Sequence, residues 1–132
     1  MTEVELINLA DDLGNSVVLR ITGRDAHGLN GIIEVGSYFV SGTLKTRVTS
    51  EDLKEWETVL DSLAQEDTAS WREGQRAPEI HLETEDDRVT IAVVDSHAYM
   101  VTAELTIEVA DDWLKTHHEL LATVRKSHPD LP

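Results

Sequence analysis

Apolar and polar positions alternate with a period of two through the first part of the chain. In "NSVVLRITGR" Val17, Leu19 and Ile21 point one way while Ser16, Val18, Arg20 and Thr22 point the other, as in a half-buried strand. This segment follows "VELINLA" across "DDLGN", whose Gly14-Asn15 pair permits the positive φ of a tight turn, so residues 4–23 read as a hairpin. "GIIEVGSYFVSGTLKTRV" reads as two more strands joined at Gly36-Ser37, where glycine at the first turn position suits a two-residue type II′ loop. Gly42, inside the second of these, reads as a bulge.

The period changes at "TSEDLKEWETVLDSLAQ". Thr49 or Ser50 caps the orphan backbone N–H groups, Glu51 and Asp52 suit the positive end of the dipole, and Leu53, Trp56, Leu60 and Leu63 recur at helical spacing. A helix is therefore expected over 51–64. "EDTASWREGQRAP" is the least regular stretch. Alternation resumes after Pro78: Ile80 and Leu82 pair with Val89, Ile91 and Val93 across a turn at Glu85-Asp86-Asp87. In "AYMVTAELTIEV", Tyr99, Val101, Ala103, Leu105, Ile107 and Val109 share one face. Asp111 or Asp112 then caps a last helix, with Trp113, Leu114, His117, Leu120, Leu121 and Val124 on its inward arc and Pro129 beyond its end. The expected fold is α+β: a largely antiparallel, twisted sheet of about seven strands in the order β-β-β-β-α-β-β-β-α, with both helices on one face. The other sheet face is left free for a partner.

Length and composition fit one domain spanning 1–132. A chain of 132 residues buries roughly two-thirds of its unfolded surface, and 40% apolar with 28% charged residues is not a disordered composition. No apolar run reaches the ~18 residues of a membrane helix, and the N-terminus shows no basic n-region, apolar h-region or cleavage site. With no cysteine in the chain, disulfides and thiolate sites drop out, and a cytoplasmic location is expected. Charge changes the picture most. Twenty-six acidic against eleven basic residues give a net charge of −15, which disfavours direct nucleic-acid or membrane binding and favours a basic protein partner.

Candidate chemistry is sparse. His117 and His118 are adjacent and diverge by about 100° on a helix, and His128 lies about three turns further on, so a metal would need distant ligands such as His81 or His97. The residues give no catalytic or metal site, and no cofactor is expected. Asp11-Asp12, Glu85-Asp86-Asp87 and Asp111-Asp112 lack the loop pattern of a calcium cage and read first as turn chemistry. If the chain is a binding module, Asp11, Asp12, Glu85, Asp86 and Asp87 are the exposed hairpin-tip carboxylates, and Trp71 is the candidate apolar anchor against the simpler reading of a tryptophan tucked over a sheet edge.

Four stretches, "INLADDLGNSVVLRITGR", "SEDLKEWETVLDSLA", "W.EG.RAPEI.LE" and "VADDWLKTHHELLATVRKSHP", resemble in order and spacing a family of small acidic actinobacterial proteins of unknown function. More distantly, the layout is similar to the immunity proteins that neutralise wall-associated polymorphic toxins. The second resemblance implies a non-catalytic cytoplasmic protein that blocks a basic toxin by stoichiometric binding. Two other readings stand beside it: a small metal- or ligand-dependent enzyme using the histidines, and a regulatory partner of a neighbouring enzyme.

Overall fold

The alternating segments form strands and the 3.6-period segments form helices, in the order β1 (Val4–Ala10), β2 (Ser16–Asp25), β3 (Gly28–Gly36), β4 (Ser41–Val48), α1 (Ser50–Leu63), β5 (Thr68–Trp71), β6 (Glu79–Glu85), β7 (Arg88–Asp95), β8 (Val101–Glu108) and α2 (Trp113–Ser127). The computed structural model describes residues 3–75, 77–95 and 101–131; Tyr99 and His97 lie outside them. The α+β class is as expected, but the single sheet is replaced by two antiparallel four-stranded sheets, β1-β2-β3-β4 and β5-β6-β7-β8. The strand that the sequence pattern does not show is β5, whose four residues are too few to display a period. It pairs with β6 through Trp71↔Ile80.

The same element series, four antiparallel strands and a helix, thus occurs twice. Each helix packs on the first strand of the other half, α1 on β5 and α2 on β1, and the two helices touch. The expected common helix-bearing face of one sheet is replaced by this reciprocal exchange. Buried side chains from both sheets and both helices form one cluster, which includes Trp56 and Trp71 with ring centroids 5.2 Å apart.

Local details follow from the residues. Thr49 and Asp52 form a full capping box: the Thr49 Oγ1 accepts from the Asp52 N–H and the Asp52 carboxylate accepts from the Thr49 N–H. Gly14 takes φ +90° in the β1–β2 turn. Leu6 and Ile7 are both buried because the register shifts between Glu5 and Ile7, so a bulge turns two successive side chains inward. Gly42, by contrast, sits in regular register with Val35 and marks no bulge. Gly36 and Ser41 pair, so the link between β3 and β4 is the four residues 37–40, not a two-residue turn at Gly36-Ser37. Ser37 closes this loop, its Oγ accepting from the Phe39 and Val40 N–H groups and donating to the Val40 carbonyl.

Candidate functional site

Two four-stranded sheets present four edges, and each edge carries unpaired backbone groups that a fold must cover or guard. At β1, α2 lies over the edge and His117 ties the two together. Its Nε2 accepts the Asn8 N–H at 3.1 Å and its Nδ1 donates to the Trp113 carbonyl at 2.7 Å, a pairing that fixes the neutral tautomer. Burial pushes the His117 pKa down, against the Trp113 hydrogen bond, with His118 adding to the depression. Both ring nitrogens are therefore engaged inside the fold. The edge of β5 is roofed by α1: the Trp71 indole N–H donates to the Asp52 carbonyl at 2.8 Å and the Arg72 N–H to Glu55 at 2.9 Å. Arg72, fully buried at φ 61°, lies 4.2 Å over the Trp71 ring, and its Nη1 donates to the Arg47 carbonyl at the end of β4. The rest of β4 exposes Lys45 and Arg47, the charged guards common on edge strands.

The fourth edge, β8, borders a groove. Residues 101–106 line one side and the β3–β4 loop lines the other, enclosing about 510 Å³. The loop tip holds Tyr38 and Phe39 at 100% and 93% exposure, with Val40 at 48% and Val101 at 57% across from it. Large apolar groups held this far out in water mark interaction sites more often than stability. Among the described residues, Glu104 is the one charged residue lining this groove. Beside the groove lies a mostly apolar trough of about 280 Å³, open to solvent on one side and with Asp95 in its lining, which shares Val35, Val40, Val101 and Ala103 with it.

The acidic turns singled out from the sequence meet at the far end of this same strand. Arg88 pairs with Glu108, which brings the β6–β7 tip, Glu85, Asp86 and Asp87, to the C-terminal end of β8. Asp11 reaches the same place from β1: it contacts the Glu108 backbone, and its carboxylate accepts from the side chain of Asn15, a groove residue. The Asn15 side chain first, then the backbone N–H groups of Asn15 and Leu13, hold the Asp11 carboxyl below its usual value. Asp12 is exposed beside it. Asp86 takes φ 54°, the left-handed conformation that asparagine and aspartate tolerate in turns. One end of β8 is therefore apolar and the other acidic, with Arg88 3.9 Å from Asp87 as the nearby cation.

Trp71, weighed as an anchor, is 0% exposed and packs on Trp56, so it is a core residue and offers no surface to a partner. The large apolar side chains exposed at the surface are Tyr38, Phe39, Val40 and Val101 along the groove and Leu13 in the β1–β2 turn; of these, alternation alone places Tyr38, Phe39 and Val40 in a strand. The available signal was that Tyr38-Phe39-Val40 sits between Gly36-Ser37 and Ser41-Gly42, with turn-forming residues on both sides. A second constellation also escaped the sequence. Cross-strand pairing of Ser70 with His81 puts the Ser70 Oγ 2.7 Å from His81 Nδ1, and Glu79, two residues along the same face, lies 3.0 Å from Nε2. Of the other histidines described, His27 lies in the β2–β3 turn, His118 lies 3.5 Å from Asp61 and His128 caps α2. Among the described residues no three His, Asp or Glu side chains are grouped to hold a metal, and no helix is long and apolar enough to cross a membrane.

The chain matches DUF5959, a family of unknown function, over residues 4–129, and it belongs to that family. No curated protein and no solved structure matches it. Membership agrees with the resemblance to a family of unknown function and brings no activity with it.

Proposed function

We propose that this protein is a non-catalytic binding module that associates stoichiometrically with a basic protein partner along the β8 groove. The observation that carries the reading is the pairing of exposed Tyr38, Phe39 and Val40 with an apolar trough in a chain of net charge −15. Burying the tip supplies affinity, and the acidic turns at the far end of β8 steer a cationic surface into register. An immunity- or antitoxin-like role in the cytoplasm, holding a cationic toxin domain inactive, is the form of this reading that suits the charge. A toxin reading frame next to the gene supports that form, and an enzyme reading frame there favours a regulatory partner instead.

The test is capture at low salt from the native cell, with Tyr38→Ser/Phe39→Ser as the matched bait. The expected result is one stoichiometric protein of high pI, retained by the parent and lost by the double variant, with affinity falling steeply as salt rises. Reversing Glu85, Asp86 and Asp87 together should slow its association and flatten the salt dependence. A partner that is acidic, or one held equally by both baits, sinks the reading.

The Ser70-His81-Glu79 chain favours a second reading, a small hydrolase with Ser70 as nucleophile and His81 as base. It lies on the outer face of β5 and β6, and neither the β8 groove nor the trough beside it opens there. A fluorophosphonate probe decides the matter: labelling at Ser70 that disappears in His81→Ala supports hydrolysis, and no labelling ends it.

A further inference from the structure

Hydrogen-bond parity along β8 shows which backbone groups face the groove. In an antiparallel ladder, opposite residues alternate between pairs that exchange N–H and C=O bonds and pairs that do not. The Val109 N–H donates to the Asp87 carbonyl at 2.8 Å, one step beyond the last β7–β8 pair and in the same register as Arg88↔Glu108. Val109 therefore belongs to the bonded set. Counting back by twos through an unshifted register, Ile107, Leu105, Ala103 and Val101 also point their backbone groups at β7. Thr102, Glu104, Thr106 and Glu108 point theirs away from it. The groove is lined by six consecutive residues of β8, from both faces of the strand, as happens when a cavity runs along an edge.

Among the described residues, the stretch 101–106 of this edge has none of the usual guards, while at Glu108 the outward backbone already meets the Asp11 carboxylate. β8 contains no lysine, arginine or proline, its pairing with β7 carries no bulge, and it is the terminal strand of its sheet. The outward backbone groups belong to residues whose side chains lie on the exposed outer face, while Ala103, Leu105 and Ile107 face inward. Resting on the binding function proposed for this groove, we propose that β8 is an acceptor strand: an extended segment of the basic partner adds to its open edge, antiparallel like every other pairing in the molecule. Its lysine or arginine side chains lie on the outer face beside Glu104 and Glu108. Its alternate apolar side chains enter the trough beneath Tyr38, Phe39 and Val40. Six residues of β8 span about 20 Å, so a segment of six to eight residues is the natural length. A second copy of the chain would bring Glu104 and Glu108 against the same row and −15 against −15. The other exposed edge, β4, presents Lys45, with Arg47 paired to Asp25 at 2.6 Å, and lacks the acidic row that would receive the same segment.

The probe is the blocked peptide acetyl-(Lys-Val)4-amide, titrated calorimetrically into the full chain. Opposite an outward-bonding residue of β8, the incoming residue both shares its face and bonds to it, so lysine N–H groups donate to β8 and valine N–H groups point away. One-to-one binding is expected, weakened at least about tenfold by N-methylation of the lysines and little changed by N-methylation of the valines. Glu104→Pro should weaken it as strongly, while Glu104→Thr, which removes the charge and keeps the N–H, should weaken it less. Should Glu104→Pro fail to fold, the methylated peptides still decide. No binding, or binding indifferent to which residues are methylated, overturns strand addition. The wider proposal is separable, because a basic partner captured through Tyr38 and Phe39 survives that result. Concentration-dependent dimers of the parent, abolished by Glu104→Pro in sedimentation, would give the edge to a second copy and overturn the assigned occupant.

Discussion

The first strand of one sheet and the last strand of the other solve the edge problem in opposite ways. At β1 the outward Asn8 N–H is taken by a buried histidine on α2, and the helix packs along the strand. At β8 the outward groups of Thr102, Glu104 and Thr106 face a groove, with apolar side chains held exposed across it. The two halves share an element series in which each helix covers the first strand of the other half, so the last strands, β4 and β8, are left without one. The difference lies in where the second helix goes: α2 is spent closing β1, and among the described residues no further helix closes β8. A covered edge contributes to stability, and an open one is available for binding.

The largest expected effect is at the closed edge. His117→Ala removes a buried ring that packs edge-on against Trp113, with centroids 5.7 Å apart, and leaves the Asn8 N–H without its acceptor. Lost packing and a stranded donor together should cost about 2–4 kcal/mol in urea unfolding. A change below about 1 kcal/mol would mean that α2 does not depend on this tie.

A matched pair of prolines then sets the two edges against each other. Asn8→Pro removes a donor in use and should cost about 2 kcal/mol, whereas Glu104→Pro removes a donor facing solvent and should cost under about 1 kcal/mol. Amide exchange gives the same contrast without mutation. Asn8 should be protected, and along β8 Ala103, Leu105 and Ile107 should be slow while Thr102, Glu104 and Thr106 are fast. Equal costs for the two prolines, or uniform protection along β8, would erase the distinction.

Acidification from pH 8 to pH 5 should weaken the closed edge through His117. The His117 pKa lies below its ordinary value in the folded state, so as pH falls through about 6.5 the unfolded chain takes up a proton that the folded chain refuses. Stability from this group is complete above that pH and declines toward the depressed folded value. Urea unfolding from pH 8 to pH 5 should therefore show the parent losing more stability than His117→Gln. Parallel profiles would assign the pH dependence to the carboxylates instead.

The sequence made one side of this contrast legible. Seven of the eight strands, both helices and the inward place of His117 followed from periods of two and 3.6, because each rests on a local repeat of apolar residues. β5 did not, since Thr68–Trp71 is shorter than the runs that display alternation and its identity depends on pairing with β6. For the same reason Trp71 stood open between a loop anchor and a tryptophan tucked over a sheet edge, and it is buried against Trp56. The acidic turns were visible one by one, but their convergence at the end of β8 is a matter of register between distant strands. The Ser70-His81-Glu79 contact is likewise a product of cross-strand register. Splitting the strands into two sheets was beyond the periodicities altogether, because a strand reads the same in either sheet.

The smallest effect on stability is expected at the open edge, and it is the most informative about function. Tyr38 and Phe39 lose almost no contact with water on folding, so Tyr38→Ser/Phe39→Ser should change unfolding free energy by no more than about 0.5 kcal/mol. Apolar groups that add nothing to the fold and sit over an apolar trough are maintained at some cost in solubility. If they serve a partner, the same double variant should bind acetyl-(Lys-Val)4-amide at least about tenfold more weakly while folding normally, since the valines lose the roof of their pocket. Unchanged affinity would detach the loop from the β8 groove and leave the edge to act through its backbone alone. A large loss of stability would show instead that Tyr38 and Phe39 pack on the fold in solution, making the tip a closed feature like β1.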